Sequence, residues 1–581
     1  MQKTHSTGSV STTCQNCKKD FEIRKEDLIF YEQVKVPAPF LCPECRMQRR
    51  LAFRNERTLY KRICDLCKKE GISIYPSKTS FPVYCHKCWW GDGWDPTIYG
   101  MDFDQSKPFL DQFKELKNKI PRIALLVIDS INSDYTNNGG ENKNCYLIFA
   151  AENNEDCMYG RLIQRCKNSI DCDFLYDSEL CYECTDTRKS FKCLYSERLQ
   201  DCVDVILSFD MRNSQNCILC INGRNLNYCI ENVQYTKEEF AKKKAEILNS
   251  YDSIERAKEK YKQLRASAVV KYASMVKCNN ATGDYMYNCH DGVQIFDTSN
   301  SKNCSYIADA EDPIDCHDCN NLYFKPERLY NVMGTLQSTN CVTGVYIMYG
   351  NEVHYSDSCY NCTKCFGCVG LNKKNYFILN KEYSKEEYEK LKEKIIESIK
   401  KEGTYGEFFP PNLSPFGYNE TLAQEYYPIT EKEAKEKGFN WQDQATGTYG
   451  KETIKESDIP KTIEEVSEDP PAGEAGILNQ VLVCKDCKKN FRITKAEFDF
   501  YKRMNLPLPH KDFECRHQDR MAKRNPRKLW SRSCMCGSAG SPQATANHSH
   551  EDKCLNEFET SYSPDRHEIV YCEKCYQQEV S

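Results

Sequence analysis

Four C-x-x-C pairs stand in a row near the start of the chain: Cys14/Cys17, Cys42/Cys45, Cys64/Cys67 and Cys85/Cys88. Each two-residue loop lets two sulfurs face one ion. Two such pairs give the four thiolates of a tetrahedral zinc site, with Zn–S distances of about 2.3 Å. Four pairs therefore predict two zinc ions. A second set lies at the far end: Cys484, Cys487, Cys515, Cys534, Cys536, Cys554, Cys572 and Cys575. Disulfides are the other use for so many thiols. Against them stands the polar stretch Met1–Thr13, which has no apolar core of a secretory signal, so a cytoplasmic chain with reduced thiols is expected.

Shifted by 470 residues, the first module overlays the last. Cys14, Cys17, Phe21, Tyr31, Pro37, Pro39 and Cys45-Arg46 fall on Cys484, Cys487, Phe491, Tyr501, Pro507, Pro509 and Cys515-Arg516. After a 17-residue insertion, Val83-Tyr84-Cys85 matches Val570-Tyr571-Cys572, and Cys88 matches Cys575. Register held over so many positions indicates a duplication. The copies differ at the metal, because Asp512 stands where Cys42 does. A fourth ligand beside Cys484, Cys487 and Cys515 is sought among His510, Asp512 and His517, with His510 favoured. Cys536 replaces the expected partner of Cys534, and His548, His550 and Cys554 in the insertion could supplement that site. Three to four zinc ions follow for the whole chain.

Residues 14–60 resemble a treble-clef zinc-binding domain of bacterial proteins. The likeness rests on Cys14-x-x-Cys17, Phe21, Phe30-Tyr31, Pro39 and Cys42-Pro43-Glu44-Cys45-Arg46 running into Arg49-Arg50. The whole layout is similar to zinc-ribbon proteins of small-genome uncultivated bacteria. The resemblance implies that Cys14 and Cys17 sit on a zinc knuckle, and that Cys42 and Cys45 open a helix from Arg46 to about Lys61. It also favours sequential pairing of the ligands over a cross-braced one. It implies no activity.

Between the modules lie 21 cysteines, from Cys145 to Cys368. Lys143-Asn144-Cys145 and Asp156-Cys157 recur as Lys302-Asn303-Cys304 and Asp315-Cys316. Tyr235-Thr236-Lys237-Glu238-Glu239 recurs as Tyr383-Ser384-Lys385-Glu386-Glu387. Short Tyr/Ile/Val/Leu runs alternate with Asn, Asp, Ser and Gly, and several cysteines sit 15 apart. This predicts a duplicated parallel β-solenoid, with Asn and Asp at corners and Cys packed inside. The run Cys359-x-x-Cys362-x-x-Cys365-x-x-Cys368 lacks the C-x₃-C-P ending of a bacterial iron–sulfur motif.

The expected fold class is thus mixed α/β and multidomain: treble-clef or zinc-ribbon modules flank a Cys-rich β-solenoid (parallel β-helix-like) with helical insertions. The boundaries are a double zinc module over 1–104, a connection over 105–142 and solenoid halves over 143–235 and 273–383. A helical insertion over 236–272 and a helix over 384–403 follow the two halves. A Tyr/Pro-rich then acidic linker covers 404–477, and the second double zinc module 478–581. Residues 452–474, with eight acids and two lysines, predict a flexible acidic tether.

Net charge is −5, which excludes a uniformly basic chain but not local basic faces. Arg46 to Lys69 holds nine Lys/Arg against two acids, and Arg516 to Arg532 seven against one. Arg46, Arg49, Arg50, Arg54 and Arg57 recur at three- and four-residue steps, which would put them on one helical face. With the twin set Arg516, Arg520, Arg524 and Arg527, and with Tyr60, Trp89, Trp90, Trp94 and Trp530 nearby, they predict contact with nucleic acid (RNA first) or with a protein complex. No H-E-x-x-H, G-x-S-x-G, P-loop or G-x-G-x-x-G occurs. The expectation is a non-enzymatic zinc scaffold. The alternative is a carbohydrate-active hydrolase or lyase on the solenoid face, with Asp284, Asp309, Glu311 and Asp312 as first suspects. No apolar run is long enough to cross a membrane.

Overall fold

In a computed structural model, the residues described are 3–4, 8–323, 330–336, 342–348, 350–443, 447–467, 476–536 and 554–580. Cys341, His548 and His550 lie outside them. Among them the chain is mixed α/β and multidomain, with twelve helices and many small sheets.

The centre is built from a three-residue unit. From Val127 to Ile230 the backbone pairs with itself in parallel at a twelve-residue step. Examples are Val127↔Gly139, Arg161↔Asp173↔Thr185 and Gln215↔Asn227, with isolated bridges such as Lys143↔Glu155 between them. Every third residue is left-handed, as at Asn144 (φ 54°), Leu147 (51°), Ala150 (48°) and Asn153 (59°). The next residue points inward, so Cys145, Ile148, Ala151 and Asn154 are all buried. Twelve residues thus make four corners with three-residue sides. The inward space is shut off from water and is filled by cysteine and apolar side chains, Ile148, Ile163, Leu175 and Leu199 among them.

Cysteine and serine fill it for a second reason. The inward Sγ–H or Oγ–H donates to the carbonyl two residues back, as in Cys145 to Lys143 (3.3 Å), Cys172 to Ile170 (3.3 Å) and Ser178 to Tyr176 (2.8 Å). The corner carbonyl is thereby satisfied without water. Asn and Asp stack outside the corners: Asn132 Nδ2 donates to Asn144 Oδ1 (3.0 Å), and Asn144 to Asp156 (3.1 Å). The pairing step is twelve, although several cysteines sit 15 apart. Fifteen is one twelve-residue step plus one triplet, and inward positions recur at every multiple of three.

A second ladder of the same kind runs from Met275 to Ile378, with Phe296↔Ala308↔Asn320 and Asn351↔Thr363↔Asn375. Its core holds Cys304, Cys316, Cys319, Cys359, Cys362, Cys365 and Cys368, each fully buried. Each ladder ends in a capped helix. Thr236 and Ser384 accept from the N–H of Glu239 and Glu387, whose carboxylates reach back to the cap. The helical insertion expected over 236–272 is two helices, Lys237–Ile247 and Tyr251–Ser267, because Ser250 caps a new start. Phe240, Ile254 and Tyr261 pack on their own ladder.

Both terminal modules follow one plan. The first has a hairpin (Val10–Thr13 with Asp20–Ile23), a helix Lys25–Gln33 and a helix Pro43–Leu51. The last has Leu482–Val483 with Asn490–Phe491, then Lys495–Met504 and Phe513–Met521. The predicted helix to Lys61 stops at Leu51, and Tyr60–Ile63 is a strand. Arg54 and Arg57 therefore leave the helical face of Arg46 and Arg50. The acidic segment is not a free tether over 452–467. Ile459, Ile463 and Val466 are buried there, and Lys461 pairs with Asp252 at 2.5 Å.

Candidate metal centres and the arginine clamps

The candidate metal-ligand geometry starts from the knuckle turns. The N–H groups of Cys14, Cys64 and Cys484 each donate to the carbonyl five residues on, at 2.9 Å. Lys18, Lys68 and Lys488 close the turns in left-handed conformation. The second pair of ligands follows at a helix start: Cys42 and Cys85 are N-caps of Pro43–Leu51 and His86–Trp89.

Four groups of ligand atoms result, each drawn together within 4.8 Å: Cys14/Cys17/Cys42/Cys45, Cys64/Cys67/Cys85/Cys88, Cys534/Cys554/Cys572/Cys575 and Cys484/Cys487/Asp512/Cys515. The first two have sequential pairing. Edge lengths test the fit. A tetrahedron with Zn–S arms of 2.3 Å has S···S edges of about 3.8 Å. The structure has 3.7 Å for Cys17–Cys42, 3.8 Å for Cys67–Cys85 and 3.9 Å for Cys554–Cys572. Backbone N–H groups also point at sulfur: Cys42 to Cys14, Cys85 to Cys64 and Cys572 to Cys534, each 3.3 Å. Burial pushes the Cys14 and Cys64 thiols up, but N–H groups around each outweigh it and bring both down to about 7. These sulfurs are poised as thiolates, the form that binds metal.

Two ligand expectations are corrected. His510 does not reach the third site: its Nδ1 pairs with Glu456 at 2.8 Å and its ring stacks on Tyr251. Asp512 takes the place, one oxygen capping Phe513–Met521 through the N–H of Glu514 (2.9 Å) and the other accepting from the Cys487 thiol (2.9 Å). Its alignment with Cys42 was the available signal. In the fourth site Cys554, not Cys536, completes the set, although Cys536 is buried beside it.

The arginines assigned to nucleic acid are corrected more deeply, because nearly all are inside. Arg46, Arg50, Arg54, Arg516, Arg520, Arg524 and Arg527 are 0–7% exposed. The side chains of Arg57 and Arg49 retain 9% and 19%. Arg46 Nε donates to both oxygens of Asp318 at 2.9 Å, and Arg50 Nη1 to the same carboxylate at 3.2 Å. The twin pair does the same on the other ladder: Arg516 meets Asp171 at 3.0 Å, and Arg520 meets Asp171 (3.2 Å) and Asp173 (2.7 Å). Arg50 and Arg520 also reach the carbonyls of Tyr306 and Tyr159. The first module thus docks its helix on the second ladder, and the last module docks on the first.

Each module then crosses over. Glu56 binds Arg161 of the first ladder (2.8 Å), while Arg524 and Arg527 bind Asp297 and Asp309 of the second. Arg161 and Asp309 stand 3.6 Å apart, which closes a buried chain of charge through both modules and both ladders. Arg57 and Glu514 join module to module at 2.9 Å. His517, an alternative ligand, lies instead between Asp173 (3.1 Å) and Glu425 (3.3 Å). Of the five aromatics proposed for base stacking, Trp90 is exposed, Tyr60 and Trp89 are buried, and Trp94 and Trp530 are half-buried. The enzymatic suspects Asp284 and Asp309 hold the last module, Asp284 through Asn525 (3.2 Å) and Ser561, and Asp309 through Arg527.

These features define a mixed α/β multidomain protein whose two ends carry clusters fit to bind metal, compatible with zinc-ribbon-like modules. No protein-family model and no curated protein matches the chain. Among the described residues no helix is long and apolar enough to cross a membrane.

Proposed function

We propose that the protein is a non-enzymatic zinc scaffold in which two double zinc modules staple a duplicated β-solenoid into one rigid body. One observation carries this reading: equivalent arginines of the two modules, Arg46/Arg50 and Arg516/Arg520, are buried against ladder aspartates in matching geometry. A buried ion pair holds its partners in one arrangement and is costly to break on one side. Zinc is the metal proposed, since closed four-ligand thiolate sites are the usual structural zinc sites. A cytoplasmic setting suits the free cysteines of the two ladders. The partner proposed is a nucleic acid or a protein complex, met on surfaces other than the docked arginine helices.

The test is metal content and its coupling to docking. Native mass spectrometry should give four zinc ions per chain. Chelation should then raise amide exchange in Pro43–Leu51, Phe513–Met521 and the ladder segments they cover. Fewer than about two ions, or protection unchanged after full chelation, would refute the staple.

A further inference from the structure

Beyond the scaffold reading, we propose that the cleft between the first ladder, residues 274–287 and the last helix, Glu573–Val580, is a binding site for successive phosphate groups. Parallel pairing stacks Arg188, Gln200, Arg212 and Arg224 in one row along the ladder. Adjacent coils in such a row are about 4.8 Å apart. The row lines two adjoining chambers of about 60 and 360 Å³, both bounded by Arg198, Arg212 and Ser274.

Charge in the cleft is not balanced from within. Its walls carry Arg188, Arg198, Arg212, Arg224, Lys271, Lys277 and Arg524 against Asp186, Asp210, Asp297 and Glu573. The acids are already engaged: Asp210 with Arg212 (3.1 Å) and Arg224 (3.0 Å), Glu573 with Lys271 (2.5 Å), and Asp186 and Asp297 with Arg524. Among the described residues Arg188, Arg198 and Lys277 pair with no carboxylate. Two of these three face one ring, Arg188 at 5.1 Å and Lys277 at 5.9 Å from the Tyr287 centroid. Arg188 is held further by Tyr176, at 3.8 Å, and the 8%-exposed Arg198 by a 3.4 Å bond to the Tyr285 hydroxyl.

Arg188, Arg198 and Lys277 share one concave wall, where their like charges repel even though Asp284 and Asp186 favour the charged Arg198 and Glu311 the charged Arg188. A phosphate group relieves that repulsion and accepts the free N–H donors. The row then offers a next phosphate to Arg212 and Arg224. The ligand chemistry is a run of phosphates, from either an inorganic polyphosphate or a single-stranded nucleic-acid backbone.

The test uses the zinc-loaded full chain, with zinc content measured on every sample so that failure of this site is distinguished from failure of the staple. The probes are inorganic tripolyphosphate and a short labelled single-stranded RNA. Arg188→Gln/Lys277→Gln should weaken binding at least about tenfold and flatten the salt dependence by somewhat over one unit of log–log slope for RNA. The control Lys143→Gln/Arg165→Gln, on residues paired with Glu155 and Asp177, should leave affinity unchanged. If the double variant folds poorly, Lys277→Gln alone, on an exposed side chain, replaces it and should weaken binding severalfold, and unchanged affinity overturns the site. Loss of both probes, or of the one that binds, supports the site and names its source. Failure of the wild type to bind either probe, or binding indifferent to the double variant, overturns it.

Discussion

Removing one aspartate should undock one module and leave its twin nearly untouched. Asp318 is the only carboxylate, among the described residues, that ion-pairs with either Arg46 or Arg50, and all three side chains are at most 3% exposed. Asp318→Asn therefore strands two buried guanidinium groups. Breaking a buried pair from one side costs about 3–5 kcal/mol. That is roughly a hundredfold to several thousandfold in the docking equilibrium, at about 1.36 kcal/mol per factor of ten. Asp171→Asn is a different case. Arg516 keeps Glu497 (3.5 Å) and Arg520 keeps Asp173 (2.7 Å). Burial also raises the Asp171 carboxyl to about 6 against the opposing pull of Arg516 and Arg520. With a folded pKa above the unfolded 3.8, the favourable contribution is present below about pH 4 and is lost as pH rises through 6. Above pH 6 folding is therefore weaker by on the order of 3 kcal/mol than with this carboxyl protonated in both states. Asp171→Asn should cost less than about 1 kcal/mol at pH 7 and improve relative to wild type between pH 5 and 7. The assays are denaturant unfolding in excess zinc and amide exchange of Pro43–Leu51 and Phe513–Met521. Equal losses in the two variants, or an Asp318→Asn loss below about 1 kcal/mol, would refute the asymmetry.

Further outcomes follow from the metal sites and the ladder. Asp512→Ala should make one of four ions labile in a chelator titration, Asp512→Cys should tighten it, and His510→Ala should change neither. Cys554→Ser should release one ion as measured by mass spectrometry, whereas Cys536→Ser should release none. Thiol labelling of native protein should spare Cys145 to Cys229, all at most 3% exposed, until denaturant is added. Lys192 is exposed with φ 58°, so Lys192→Asn should raise stability by a few tenths to about 1 kcal/mol in urea unfolding.

The candidate metal ligands were legible because their spacing is itself the chemistry. A two-residue loop between cysteines needs no partner to be recognised, and the offset of 470 marked Asp512 even though His510 was preferred. The parallel ladder was legible as a class, from Asn-Cys corners and short apolar runs. Its step was hidden, because a period of three supports twelve and fifteen equally well, and only backbone pairing chooses between them. The arginines misled for a physical reason. A row of cations in sequence states a charge, and the site of its counter-charge depends on the tertiary fold. Asp318 lies 268 residues from Arg50 and sits on a corner like dozens of other Asp and Asn residues. The repeats offered no signal, since their registers set Tyr330 or Cys319, not Asp318, against Asp171, and only the docked arginines match the two aspartates.

Matching the duplications to each other shows what a metal bound so far from the centre would do for the fold. Each module docks its helix on the ladder remote from it in sequence, and then reaches back to the nearer one through Glu56 or through Arg524 and Arg527. The contacts are charged and buried, so they hold only if donors and acceptors are fixed before they meet. Helices of nine residues such as Pro43–Leu51 and Phe513–Met521 are too short to be stable alone. A metal anchoring the first turn of each, through Cys42 and Cys45 or Asp512 and Cys515, would fix the helix axis and with it the reach of Arg46, Arg50, Arg516 and Arg520. On the zinc reading the metal stabilises the ladders at a distance, by presenting rigid arginines to aspartates that would otherwise be solvated corners. Loss of metal at one end should therefore loosen the opposite ladder before its own.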